Sequence, residues 1–527
     1  MFRPYTQDQM MLLPPCLKEF LGDSHPVHMI NDLVEKMNLS VLEKRYGTMG
    51  QPAYHPRLML KVILYGFSVG TFSARKLARA CRENLAFQSL TGGDNPAFKT
   101  FIEFRRRHQE DMKEVFLETV KLARQLGLKS LGAVALDGTK IQADTSKHKA
   151  MSYGRMLEEE KRLKGEIEDL LKKAEATDAQ EDQEFGTEKD GYSLEEKLSF
   201  RQERLRKIEE AKAALEEREK KDHPDKPIDP KKQISFADTE ARCFSKKSEG
   251  TRYVHNAQAT VEMETQLIVE NHIEDSVSDA GAVEATLTNL EEGLGMKTEK
   301  VVIDGGYANT QTLESCQRHG VTPVCAAGRE TKDASPLPER LENVNAFSYD
   351  EKINIFTCPH GTAFTFDHWN DKNNVATYVC RGTPGCTCGS GVKQRGVRVR
   401  RSHLARRELQ RILVMHKELY GRRKTTVEPV FGQIKAGMGF RRWFYRGKKK
   451  VGSEWNVVCA AFNIRKIAAL IRAGVFTTPT PMGSPDILDA QRTPLAPFLR
   501  ENAYHGRLFR HWIARIKLTV APLAYCG

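Results

Sequence analysis

The chain has 527 residues, enough for roughly three or four domains, and its 40% apolar content places most of it among globular rather than disordered proteins. No apolar run approaches the roughly 20 residues that cross a bilayer, the short interrupted apolar stretch at the start is no signal peptide, and 11 scattered cysteines suit a reduced compartment, so a soluble intracellular protein is expected. The net charge of +13 is concentrated between residues 391 and 450, where 19 Lys or Arg face three acids; a block with that excess attracts polyanions by counterion release, and nucleic acid is the leading partner over a merely solubilising surface.

Residues 20–125 predict an all-helical region. "HPRLMLKVILYGFSVGTFSARKLARACREN" carries apolar residues at helical spacing, with a break expected at Gly66 or Gly70. The turn-like "TGGDNP" leads into "AFKTFIEFRRRH", where Arg105, Arg106 and Arg107 crowd one end. Helix, turn and basic helix is compatible with a DNA-reading helix-turn-helix and equally with ordinary core helices. At 131–144, "LGAVALDGTKIQAD" changes period and predicts a buried strand ending in Asp-Gly. The charged stretch 156–221 repeats Leu163, Ile167, Leu170 and Ala174, then Leu198, Leu205, Ile208 and Leu215, on either side of a polar connector. That pattern predicts an antiparallel coiled-coil hairpin serving as a scaffold or dimerisation arm.

Two strands joined near Glu262–Thr265 are expected over 252–274, then a helix over 280–295 closed by glycine. A second buried strand over 300–309 again ends in Asp-Gly, and helix 310–319 and strand 321–327 follow. This is an α/β order with a hairpin first. Residues 328–400 read as loop-rich and hold Cys358, Cys380, Cys386 and Cys388. These four can bind Zn²⁺, but they lack Cys-x2-Cys pairs, and a metal-free loop is the preferred reading. The resulting division is a helical DNA-binding domain over 1–125 and a catalytic domain over 126–475. The catalytic domain is interrupted by a coiled-coil insertion at 147–250 and the cysteine-containing insertion at 328–400; a tail, 476–527, follows.

Three carboxylates carry the chemistry. Asp137 and Asp304 each follow an apolar strand run and precede glycine, so a rigid platform presents the acid while a large ligand's backbone comes close. Either alone is an ordinary turn residue. The third, Glu428, stands inside the basic block. Thr425 or Thr426 is expected to cap a helix whose first turn holds Glu428 and Pro429, with Phe431 packing inward and Lys435 on the same face as Glu428. A first-turn glutamate merely favouring the helix dipole is the plain alternative, and it leaves the surrounding cations unexplained. Three acids suit hard divalent cations such as Mg²⁺, and two such ions about 4 Å apart activate an attacking hydroxyl and stabilise the leaving oxygen of a phosphodiester. Of the aromatics in the block, Phe444 is expected in the core, whereas Trp443 and Tyr445 are open between core and base stacking.

"ALDGTK", "VVIDGGYAN" and "YGRRKTTVEPVFGQIK…GFRRWFYRG…SEWNVVCAAFNIRK" resemble the DDE transposases of bacterial insertion sequences over roughly residues 20–470. The resemblance implies an RNase H-like mixed-sheet catalytic core, with Asp137, Asp304 and Glu428 as the catalytic and metal-binding triad. Tyr420 and Lys435 match the family's Tyr-Arg-Glu-Lys signature; four residues separate Arg423 from Glu428, so Arg422 or Arg423 supplies the arginine. Arg422, Arg423, Lys435, Arg441, Arg442, Tyr420, Arg105, Arg106 and Arg107 are the expected DNA contacts. The implied activity is cleavage at the element's terminal inverted repeats and transfer of the 3′-hydroxyl to target DNA, using two Mg²⁺ ions for which Mn²⁺ substitutes. The implied setting is a bacterial cytoplasmic, nucleoid-associated homodimer on double-stranded DNA. A non-catalytic DNA-binding remnant and an RNase H-like nuclease without strand transfer are the alternatives.

Overall fold

The computed structural model describes residues 17–47, 52–145, 149–181, 191–224, 226–246, 250–326, 347–350, 353–358, 361–370, 375–380 and 395–477; residues from 478 form a separate unit and lie outside them. Within these bounds the chain is a mixed α/β structure with a mixed sheet and many helices. No helix among the described residues is long and apolar enough to cross a membrane.

The first helices are α1 (Pro26–Lys36), α2 (Ser40–Glu43), α3 (Pro56–Ser68), α4 (Ala74–Glu83), α5 (Leu85–Thr91), α6 (Phe98–Arg107) and α7 (Met112–Leu126). Helix α3 is apolar over nearly its whole length and is correspondingly buried all round. It runs on through Gly66, so the expected break falls beyond Ser68. Strands β1 (Leu131–Gln142) and β2 (Ala150–Ser152) come next, then the long helices α8 (Tyr153–Glu181) and α9 (Gly191–Asp222). Glu166 meets Arg201 at 2.7 Å and Glu160 meets Lys212 at 2.6 Å, so α8 and α9 run antiparallel. Met156, Leu163, Ile208 and Leu215 form a small core between them.

The main sheet is completed by β4 (Arg242–Lys246), after the short β3 (Gln233–Ser235), and by β5 (Gly250–Glu262) and β6 (Ile268–Glu274), then helix α10 (Ala282–Leu294), strand β7 (Thr298–Ile303), helix α11 (Thr310–His319) and strand β8 (Thr322–Cys325). Its order is β4-β5-β1-β7-β8, with β6 also paired to β5. Strand β1 is antiparallel to β5 and parallel to β7, and β7 is parallel to β8. Asn256 is paired with both Lys140 of β1 and Glu274 of β6, which places β1 and β6 on opposite edges of β5. Where β1, β7 and β8 run parallel they bury a short apolar run, Val134, Ala135, Val301, Val302, Ile303 and Val324, as strands covered on both faces do.

The stretch expected to be loop-rich instead holds an antiparallel sheet of β9 (Ser348–Asp350), β10 (Ile355–Thr357), β11 (Ala363–Asn370), β12 (Val375–Cys380) and β13 (Arg395–Arg400). Phe356, Phe364 and Tyr378 bury one face of it, together with Cys358 and Cys380. Cys386 and Cys388 lie outside the described residues. Three helices close the described chain: α12 (Arg401–Met415), α13 (Lys417–Gly432) and α14 (Lys448–Arg472). Helix α14 packs against α3, α7 and β6. Its buried Asn463 donates to Ile268 O at 2.7 Å and to Thr119 Oγ1 at 3.1 Å, and accepts from Ile268 N at 2.9 Å. One side chain thus satisfies both backbone groups of Ile268, the first residue of β6, which matters because buried backbone groups must be paired.

Candidate active site

The parallel register of β1 and β7 aligns Ala135 with Val302. Two residues further along stand Asp137, in the middle of β1, and Asp304, just past the end of β7, near enough for their like charges to interact. Strand β1 does not end at its Asp-Gly as expected but runs on to Gln142, because Asp137 and Gly138 stay paired with Ala259 and Gln258 of β5. Asp304 turns its Oδ1 onto Gly306 N at 2.7 Å, capping the short 3-10 turn Gly305–Tyr307. A Cβ at Gly306 would stand 2.9 Å from that same oxygen, so the turn needs glycine there. Asp137 accepts from Gly138 N at 2.8 Å and faces Arg423 Nη1 at 3.4 Å. Burial pushes the Asp137 carboxyl up to about 6, aided by the like charges of Asp304 and Asp279; the Gly138 N–H and Arg423 pull the other way but do not cancel it.

Helix α13 differs from its expected form. It starts at Lys417, so Pro429 sits inside it, three residues from its end, and neither Thr425 nor Thr426 caps it. Both threonine hydroxyls instead donate back to Arg422 O, at 2.9 and 2.8 Å. Proline lacks the N–H that would bond the carbonyl of Thr425. Gln266, from the β5–β6 turn, supplies the missing donor, its Nε2 lying 3.0 Å from Thr425 O. Beyond Pro429 the helix widens into a π segment, Gln433–Gly437, that carries Lys435.

Arg423, Val427, Val430 and Ile434 are buried in a stripe at helical spacing, and α13 packs against β1 and β7. The stripe carries the Arg423 guanidinium to Asp137, whereas Arg422 points outward and pairs with Glu264 at 2.8 Å. Of the two candidate arginines, Arg423 is therefore the one in contact with an acid of the site. Tyr420 is half-buried against the core, and Glu428 is exposed. Among the described residues no three His, Cys, Asp or Glu side chains form a ready metal cage. Asp137 and Asp304 still offer hard oxygen donors crowded with like charge. That suits Mg²⁺, which is commonly held by one or two carboxylates plus substrate phosphates.

The other expected DNA contacts are spread out. Arg441 donates to Lys435 O, and Arg442 reaches Asp144 Oδ1 at 2.6 Å. Arg106 and Arg107 are exposed at the end of α6, Arg106 paired to Glu103 at 2.9 Å. Arg105 turns inward over the Phe67 ring and donates to Phe72 O at 2.8 Å, a packing role that the sequence did not separate from its neighbours. Phe444 is 47% exposed and Trp443 is 1% exposed, which reverses the expectation for Phe444 and settles Trp443 as core. A further set around Asp279, with Lys140, Asn256 and Gln258, was missed. Its one signal was the alternation of polar residues in "HNAQATVE", which places Asn256, Gln258 and Thr260 on one strand face.

Two family models match the chain: "Transposase domain (DUF772)" over residues 15–107 and "Transposase DDE domain" over residues 357–468. The chain belongs with the DDE transposases of insertion sequences. The first match covers the transposase's α1 to α6, and the second includes Glu428 and most of α14; Asp137 and Asp304 fall outside both. No curated protein sequence matches the transposase. A cryo-EM structure of the piggyBac transposase synaptic complex with hairpin DNA aligns at 11% identity over 87% of this chain and 75% of that one. Its TM-score is 0.28, too loose a superposition to carry an argument.

Proposed function

We propose that this transposase binds the terminal inverted repeats of its element, cleaves DNA there and transfers the freed 3′-hydroxyl to target DNA, with Asp137, Asp304 and Glu428 as the acids of the site. The observation that carries this reading is the parallel register that brings Asp137, within β1, alongside Asp304, just past the end of β7, with Arg423 of the Glu428 helix against Asp137. An antiparallel trio β6-β5-β1 continued by parallel β7 and β8 supports an RNase H-like core. The antiparallel α8–α9 pair supports a coiled-coil arm, which we read as a contact between two copies of the chain on paired DNA ends.

Asp137 and Asp304, joined by Glu428, would hold two Mg²⁺ ions. When bound, these ions supply charge neutralisation of the phosphodiester and activation of the attacking oxygen. The chain's own residues do the rest. Exposed Arg106, Arg107, Arg422, Arg441 and Arg442 hold the phosphate backbone at separate points along the DNA, each one contact among several, and the buried Arg423 offsets part of the charge crowded at Asp137. Purified protein with Mg²⁺ is expected to nick or break DNA carrying the element's own ends. Asp137→Ala, Asp304→Ala and Glu428→Ala are each expected to abolish cleavage and leave DNA binding intact. Cleavage retained in any one variant removes that residue from the site, and binding without cleavage in the unmodified chain leaves only a DNA-binding remnant.

A further inference from the structure

Asp279 follows β6 in the loop before α10 and belongs to no recognised motif. Its carboxylate nonetheless collects the donors of two strands. Lys140 Nζ lies 2.7 Å from both of its oxygens, and Oδ1 also accepts from Asn256 Nδ2 at 2.9 Å and Gln258 Nε2 at 2.7 Å. Asn256 and Gln258 are 1% and 0% exposed, so two of the donors are buried while Asp279 itself is half-buried, and loss of the carboxylate leaves buried amides without their acceptor. Gln258 then accepts at Oε1 from the hydroxyl of Tyr307, at 2.6 Å, and Tyr307 is fully buried three residues after Asp304. The approach to β1 is just as close. A Cβ at Gly138 would stand 2.6 Å from Asp279 Oδ1 and 2.3 Å from Gln258 Nε2, so the residue after Asp137 has no side chain because this bridge occupies its place. A single carboxylate thereby links the strand that carries Asp137 to the turn that carries Asp304.

We infer that Asp279 is a positioning residue for the metal-binding acids: its bridge through Lys140 and Gln258 fixes Asp137 relative to Asp304. The inference rests on the proposed metal site and adds what holds that site in shape. Metal-binding acids must be held by partners that do not themselves touch the ion, and removal of such a partner typically costs about 10–100-fold in metal affinity or activity.

The test is Mn²⁺ binding to the full chain without DNA, followed by electron paramagnetic resonance of the free ion, with folding checked by circular dichroism. Asp279→Asn and Lys140→Met are compared with the unmodified chain and with Asp304→Asn. Positioning requires both bridge variants to weaken Mn²⁺ binding, Asp279→Asn by about 10–100-fold. A field effect alone moves them in opposite directions, since one removes a negative charge and the other a positive one, and that outcome overturns the inference. So does unmodified affinity in either folded variant while Asp304→Asn has lost binding. If Asp304→Asn also binds as the unmodified chain does, the metal-site reading fails and takes this inference with it. In end-cleavage assays kcat is expected to fall in Asp279→Asn while KM for the end DNA stays put. Lys140→Met removes one partner of the bridge rather than its hub and keeps the test decisive if Asp279→Asn does not fold.

Discussion

Asp137→Asn is expected to make the metal-free protein more stable at neutral pH while destroying its proposed chemistry. The carboxyl of Asp137 is raised from an ordinary 3.8 to about 6, chiefly by burial. A carboxyl whose folded value is raised holds its proton more tightly in the folded state, so stability is highest below 3.8 and is lost as pH rises through about 6. At roughly 1.4 kcal/mol per unit, the ionised side chain costs the folded state about 3 kcal/mol at pH 7 or above. Asparagine keeps an oxygen for the Gly138 N–H and carries no charge to desolvate. Chemical denaturation at pH 8 without divalent ions is expected to show the variant about 3 kcal/mol more stable than the unmodified chain, an advantage that vanishes near pH 4. Addition of Mg²⁺ is expected to stabilise the unmodified chain and not the variant, because only the former gains a ligand. Equal stability of the two proteins at pH 8, or an advantage that grows as the pH falls, refutes the picture of Asp137 as a strained, charge-crowded acid.

Three further outcomes follow from the same geometry. Arg423→Ala is expected to cost at least about tenfold in end cleavage through loss of the cation against Asp137, while Arg422→Ala, whose partner is the exposed Glu264, changes cleavage far less; gel-based rates on the two variants check this. Gln266→Ala leaves the Thr425 carbonyl without its donor, and a loss of about 1 kcal/mol is expected, read as faster amide exchange around Pro429. Glu454 is fully buried and its carboxyl is raised from 4.5 to about 7 by burial, so Glu454→Gln is expected to raise the melting temperature at pH 8 and leave it unchanged below about 4.5.

The sequence was most legible where local chemistry decides the structure. The strand end at Asp304-Gly305, the hairpin at 262–265 and the helix ending before Gly295 appear where periodicity and turn residues put them, whereas β1 runs on through Asp137-Gly138 to Gln142 because β5 pairs with it along that whole length. It was least legible where a distant partner overrides a local rule. Pro429 signals a helix start, but a donor from Gln266, far away in sequence, lets α13 continue through it. Phe444 and Trp443 are adjacent aromatics in one basic run, and only the packing of Trp443 against Trp455 and Phe440 tells which is core. Strands β9 to β13 were missed because they are short and joined by polar, glycine-bearing connections that outweigh their alternation. Asp279 was invisible for a plainer reason: its partner Lys140 is 139 residues away.

The amide of Asn463 has a consequence for how the polypeptide is made. It occupies hydrogen-bonding groups of β6 that would otherwise stand open to any passing strand, and it arrives 195 residues later in synthesis. Until α14 emerges from the ribosome, the N–H and C=O of Ile268 and the face of β6 that α14 covers are left for other chains to meet. Truncated products ending before Asn463 should therefore be insoluble, and the nascent protein should lean on chaperones until its last described helix is complete.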